Sequence, residues 1–341
     1  MQGEKTLNGV IHLLKGKRSA QTIQDISLFQ CEDITASLKR YSFQELKNLS
    51  HQMKNKNMLE ECSLNTVSLT AEGCLKLKEL SAVYHFPTEF NGLKYEWNHV
   101  AASFWEDLSL LVQTVSHLKD NNYRFLPVSV KKQSQQQVKQ LLKTNGSIVD
   151  IGQALVKDLK QILHLSSDQK ANLFVKKLTS SQRTGRTYSQ LSMPFQQDPH
   201  YTEIIFWAIV HQIITKVSQT PEEYSILPIL LPLEMKEQLV TDTARKTKEH
   251  LDKGLDLQRI ANARGLKIST IEDHIVELSI HDPGFNTNVF ITEEAKLLIQ
   301  QTADLLQTTR LKPIKDNLGD RFSYFQIRVA LSQKLKGVVR T

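Results

Sequence analysis

The side chains best suited to chemistry in this chain are cations near its end. Lys312, Lys315, Arg321 and Arg328 share one short segment with Tyr324. Lysine and arginine neutralise phosphates and release their counterions, and an exposed tyrosine offers a face on which a base can stack. Tyr324 fits a core aromatic equally well. Upstream, Lys267, Ser269 and Thr270 precede three acids, Glu272, Asp273 and Glu277. On a helix laid in a DNA groove those acids would be repelled by phosphate. One acid can accept from cytosine, but three together do not make base readers. They suit a face turned to a protein partner. Lys267, Ser269 and Thr270 remain as nucleic-acid contacts at the start of that helix, and the basic final segment supplies the rest.

Catalytic chemistry finds little support. There is no GxxxxGK[ST] phosphate cradle, and Leu142 to Gln153 (LKTNGSIVDIGQ) has two glycines at the wrong spacing for a dinucleotide fingerprint. No HExxH and no paired Cys/His set marks a metal site. Glu106-Asp107 and Glu222-Glu223 are adjacent acids, which point in different directions on a helix. The 11 histidines are scattered, and His274 falls where packing is the simpler role. The expectation is a protein that is not an enzyme, with no cofactor, no metal and no small-molecule substrate.

These residues must be positioned by Gly254 to Leu278, GLDLQRIANARGLKISTIEDHIVEL. Leu257, Ile260 and Ala261 form one apolar face of a short helix, Gly265 ends it, and Ile271, Ile275 and Leu278 resume the stripe. Two short helices about a glycine turn are a helix-turn-helix. Small Ala261 lets the helices approach, Gly265 permits a positive φ, and Ile271 pins the second helix to the first. Ser269-x-x-Glu272 reads as a capping box for the second helix, whose start can equally lie one or two residues earlier. Residues 241 to 281 carry seven basic and seven acidic side chains, so the motif has no net charge of its own.

The chain has 341 residues, 40% hydrophobic and 23% charged, with only 13 Gly and 9 Pro, a composition for two or three mostly helical domains. Its net charge of +7 is unevenly placed. From 305 to 341, eight Lys and Arg stand against Asp316 and Asp320; from 124 to 190, twelve stand against Asp150, Asp158 and Asp168. Cys31, Cys62 and Cys74 make an odd count without CxxC spacing, which speaks for a reducing compartment. No signal peptide and no transmembrane run is read, so the expected location is cytoplasmic.

In chain order, residues 1 to 80 read as a winged-helix-like domain, with helices at Val10 to Leu14, after Ser19, and from Ser42 to Met53 under a Ser42/Glu45 capping box. Extended runs at Met58 to Cys62 and Thr66 to Leu69 make the wing, and Thr70 opens a further helix. That plan serves both DNA binding and protein docking. Leu14 to Arg18 (LKGKR) is either a phosphate contact or a solvated turn. Residues 94 to 232 form a helical middle domain. Trp97 to Leu118 is a long amphipathic helix with Trp97, Phe104 and Trp105 in its core, Arg183 to Met193 is a polar loop, and Tyr201 to Val217 is a buried central helix. From 238 to 337 the helix-turn-helix of Gly254 to Leu278 is followed by a helix capped by Thr292. A more basic second helix-turn-helix spans Leu311 to Leu335, with Pro313 in its first turn, Gly319 as a stop and Ser323 as a cap. The fold class is mainly α: N-terminal winged helix, helical middle domain, C-terminal tandem helix-turn-helix.

The strings GLDLQRIANARGLKISTIEDHI and LKPIKDNLGDRFSYFQIRVAL resemble the helix-turn-helix domain at the C-terminus of bacterial RecQ-type helicases. They also resemble the stand-alone YpbB family, usually encoded beside such a helicase. The remainder is similar to that family in length and layout, and helicase motifs are absent. The resemblance implies an accessory of a RecQ-like helicase that binds DNA in recombination or repair. Two rivals are a transcription regulator reading an operator and an adaptor that touches only protein.

Overall fold

The computed structural model describes residues 3–62, 65–96, 98–232 and 240–333. The chain forms two compact units: residues 1–82 together with 238–341, and residues 83–237. The fold is mainly α, and among the described residues the sheet is a single two-stranded hairpin. The three-domain division drawn from the sequence thus differs in one respect, because its first and last pieces close into one unit.

That unit begins with α1 (Leu7–Leu14), α2 (Ala20–Leu28) and α3 (Phe43–Asn55). Ser19 caps α2 by accepting from the Thr22 N–H at 3.4 Å, and Ser42 and Glu45 close the expected capping box on α3. β1 (Leu59–Glu61) pairs antiparallel with β2 (Val67–Leu69), with Leu59 opposite Leu69. Residues before α1 extend this wing: Gly3 N–H donates to Val67 O and Val67 N–H to Lys5 O. Thr70 caps α4 (Ala71–Val83) through the Gly73 N–H.

The middle unit holds α5 (Val100–Lys119), α6 (Lys132–Thr144), α7 (Ile148–Leu163), α8 (Asp168–Lys177), α9 (Tyr188–Ser192) and α10 (Pro199–Gln219). α10 is central, burying Phe206, Trp207, Ile209, Val210 and Ile214, as its nearly all-round apolar sequence requires. Two expectations change. α5 starts at Val100 and not at residue 97, and Trp97 lies outside the described residues. The polar stretch 183–193 contains α9, started by a Thr187/Gln190 capping box.

The last part contributes α11 (Asp242–Leu251), α12 (Leu257–Arg264), α13 (Ile268–His281), α14 (Glu293–Leu305), α15 (Leu311–Leu318) and α16 (Tyr324–Gln333) to the first unit. Ile260, Ile271, Ile275, Ile299, Ile314 and Ile327 are fully buried in one core, and Leu28 of α2 packs against it. Each such burial stabilises by about 1.5–3 kcal/mol. α13 is the hub, in contact with α2, α11, α12 and α16. Hydrogen bonds join the sequence-distant pieces: Thr309 Oγ1 donates to Glu4 at 2.6 Å, and Arg328 Nε to Gln24 Oε1 at 3.0 Å.

Candidate nucleic-acid interface

The helix-turn-helix forms as its spacing predicts. Asp256 caps α12 by accepting from the Arg259 N–H, and Gly265 ends it at φ +61°. A left-handed residue at this place suits glycine, and Leu266 N–H closes back on Ala261 O at 2.9 Å. Ala261 and Ile271 are both buried where the two helices meet. The start of α13 lies at Ile268, with Lys267 in the cap position and no side-chain cap bond. Ser269 is therefore inside the first turn and forms no capping box with Glu272.

This start decides what α13 presents. Lys267 and Ser269 are exposed and Thr270 is half-buried. Ile268, which the sequence did not single out, is 41% exposed beside them. From Ile271 onward the helix turns inward, with His274, Ile275, Val276, Glu277, Leu278 and Ser279 all buried. A helix enclosed over most of its length cannot lie along a groove, so its N-terminal turn is the accessible part. In helix-turn-helix proteins that turn reaches base edges, and its free N–H groups favour phosphate.

The acids expected to face a partner do not share an outward face. Glu277 is buried and accepts from the Thr241 N–H and from Thr241 Oγ1, at 3.0 Å for the latter, so it anchors the start of α11. Burial pushes its carboxyl up, against the pull of the Thr241 bonds. Asp273 accepts from Arg328 Nη1 at 2.6 Å. Glu272 is half-buried, and its carboxyl is also raised by burial, with Arg328 opposing. The reading of these three as a partner surface is corrected for Glu277 and Asp273, which are engaged within the unit. Helical spacing shows which residues share a face, but not that this face meets α11 and α16.

The cations separate in the same way. Arg328, 16% exposed, bridges Asp273 and Gln24 and is an internal tie between α13, α16 and α2. Lys315 donates to Gly319 O at 3.0 Å and Phe322 O at 2.9 Å, and pairs with Asp320 at 3.1 Å. It closes the turn after α15 and is mostly covered. Both are withdrawn from the expected phosphate contacts. Arg321 donates through Nε to Leu318 O at 3.2 Å while remaining exposed, and Lys312 is exposed on α15. Tyr324 is 48% exposed at the first position of α16, so it is not a core aromatic. Ser323 and Gln326 cap that helix reciprocally. Lys334, Lys336 and Arg340 lie outside the described residues.

His274 packs as expected. Its Nδ1 meets Thr247 Oγ1 at 2.8 Å and its Nε2 meets Thr243 Oγ1 at 3.1 Å. Burial, then the nearby Arg264, lowers its pKa. Arg264 itself donates to Thr243 O at 2.8 Å, so a basic residue of α12 is spent on structure. In the wing unit, Lys15 of the LKGKR run donates to Lys39 O and Tyr41 O. Among the described residues no cluster of three or more His, Cys, Asp or Glu stands ready to hold a metal ion. No described helix is long and apolar enough to cross a membrane.

Comparison with known proteins agrees with this geometry. A family model described as a helix-turn-helix domain matches residues 243–331, which runs from α11 into α16. No solved structure matches the chain. The chain is 34% identical over 337 residues to Protein YpbB of Bacillus subtilis (strain 168), covering 98% of this chain and 95% of that one. With a match of that extent, reaching through the wing, the middle unit and the helix-turn-helix alike, the chain belongs to the YpbB family.

Proposed function

We propose that this protein is a DNA-binding accessory of a RecQ-like helicase, acting in recombination or repair without catalysis of its own. The observation that carries the DNA part is the exposed first turn of α13, where Lys267, Ile268 and Ser269 stand at the N-terminal end of a helix-turn-helix second helix. Lys312, Arg321 and Tyr324 add exposed cations and one stacking face on α15 and α16. The helicase part rests on the resemblance of residues 254–275 and 311–331 to helicase C-terminal domains.

The presentation of α13 speaks for structure-directed contact over operator reading. Direct readout needs three or four side chains reaching base edges along a groove, and one exposed turn supplies few of them. The test is affinity for duplex, forked and single-stranded DNA across salt concentrations. Replacing Lys267, Lys312 and Arg321 by Ala should weaken binding and lower the salt slope by up to about three. A flat salt response in the parent protein would end the DNA reading. A footprint at one site, with preference of at least about a thousandfold over random DNA, would favour a transcription regulator. Co-purification from cells, asking whether a RecQ-like helicase accompanies the tagged chain, tests the partnership separately.

A further inference from the structure

The middle unit carries an open apolar groove of about 1060 Å³ between α5, α7 and α8. Val112, Val115, Leu155, Leu159, Ala171 and Val175 form much of its lining. It runs along α7 from Ile148 to Leu163, which at 1.5 Å per residue is roughly 24 Å. α7 already buries one apolar face through Ile151, Leu155 and Ile162. Yet Val149 and Val156, also in the lining, are 55% and 52% exposed, so the helix has a second apolar side with nothing on it. Gly152 sits between them. A Cβ there would come 3.2 Å from Val115 Cγ1, so the glycine permits the close approach of α5 and α7 and leaves mid-groove without a side chain. Contiguous exposed apolar surface with a polar rim marks an interaction site.

The rim is cationic. Lys119, Lys157 and Lys160 line it, and among the described residues none has a carboxylate within ion-pair distance. Asp168 is the one acid in the lining. The other two acids of the basic stretch 124–190 are committed inside the unit. Asp158 is buried and accepts from the N–H groups of Ser225, Ile226 and Leu227, and Asp150 closes the capping box of α7 with Ser147. Glu106 and Glu89 pair with Lys131 and Lys170 of that stretch, which leaves Asp168 as the one carboxylate in the lining against the three rim lysines.

We infer that this groove binds an acidic amphipathic helix of a partner protein. Its apolar side chains, at spacings of three and four, fill the groove, and its flanking Asp and Glu meet Lys119, Lys157 and Lys160. The occupant is a helix because the walls are helices: among the described residues the middle unit holds no strand edge to pair with an extended peptide. A partner segment must then satisfy its own backbone, as in helix-in-groove recognition. Nucleic acid is disfavoured because no Phe, Tyr or Trp ring lines the groove for base stacking. The groove selects its partner by this chemistry, whether or not that partner is a helicase.

The test uses the full chain and a labelled synthetic peptide of about four helical turns, with Leu at the buried spacing and Glu on the flanks. A counterpart carries Lys for every Glu. The acidic peptide should bind at least about tenfold more tightly, a difference of about 1.4 kcal/mol, and salt should weaken it. Reversing Lys119, Lys157 and Lys160 to Glu should reverse the preference. Val156→Asp, at an exposed position, should weaken binding about tenfold or more without moving the thermal midpoint. Equal affinity for the two peptides, or indifference to both sets of substitutions, overturns the inference. So does oleate binding without peptide binding, or a dimer in sedimentation that Val156→Asp dissolves, which would give the groove to a second copy. Loss of DNA affinity in the lysine reversal with peptide binding unchanged would hand the rim to nucleic acid and overturn it as well.

Discussion

At the residue scale, side chains of the same charge divide into those that stay exposed and those that hold the fold. Arg328 and Lys312 make the contrast. Arg328→Ala removes charge-assisted bonds to Asp273 and Gln24 and should cost about 1.5–3 kcal/mol, read as a lower denaturant midpoint. Lys312→Ala should stay within about 0.5 kcal/mol of the parent while lowering the DNA salt slope by about one. If Arg328→Ala leaves stability untouched, the internal role assigned to it is wrong. His274 gives a pH signature. Its folded pKa lies below the ordinary 6.5, so the unfolded chain takes up the proton first as pH falls. The stability it contributes is present above about pH 6.5 and is lost as pH falls from there through the folded pKa. Glu277 acts with the opposite sign. Its raised carboxyl favours the fold when protonated, and that contribution is lost as pH rises through its folded pKa. Comparing thermal midpoints of the parent and His274→Gln at pH 7.5 and 5.5 isolates the histidine, and the variant should lose less on acidification.

At the element scale, the glycine turn and the start of α13 are the points of leverage. A Cβ at Gly265 meets nothing within 4 Å, so the whole penalty of Gly265→Ala is the backbone at φ +61°. That should be about 1–2 kcal/mol, with Asn at the same position costing less. Ser269 gives a sharper test. A capping serine replaced by Ala loses about 1 kcal/mol. Because Ser269 lies inside the first turn of α13, Ser269→Ala should change stability by less than about 0.5 kcal/mol. A loss near the capping value, measured by chemical denaturation, would put the cap at Ser269, the later of the starts the sequence allows, in place of the earlier one at Lys267. Ser19, Ser42, Thr70, Thr292 and Ser323 were all legible as caps, because a cap is a bond between residues two or three apart. The direction α13 faces was not legible, because it depends on α2 and α16 far along the chain.

At the scale of the whole molecule, the first and last segments behave as one folding unit interrupted by another. Residues 83–237 bury their own core around α10, and that fragment should melt cooperatively by itself. Residues 238–341 alone would lack Leu28 against their core, Gln24 beside Arg328 and Glu4 beside Thr309. That fragment should be less stable than in the full chain, and adding residues 1–82 in trans should raise its thermal midpoint. Absence of association between the two fragments, by sedimentation or co-purification, would count against this unit. The arrangement also bears on function, since α2 packed on α13 helps enclose the helix that a free helix-turn-helix would offer to DNA.

The helical class, the helix-turn-helix and its glycine, the caps and the strings that lead to the family are all legible along the chain. All of these are local: hydrophobic period, turn chemistry and capping act within a few residues. Which charges are available depends on packing between elements far apart in the chain. Lys315 and Arg321 are equally basic in the sequence, yet one folds back on a turn and the other stays exposed. Glu277 looked outward by composition and is buried because Thr241 and the start of α11 need its oxygens. A long polar side chain takes its role from the partner it finds, and for Arg328 that partner stands 304 residues away, where no local pattern reaches.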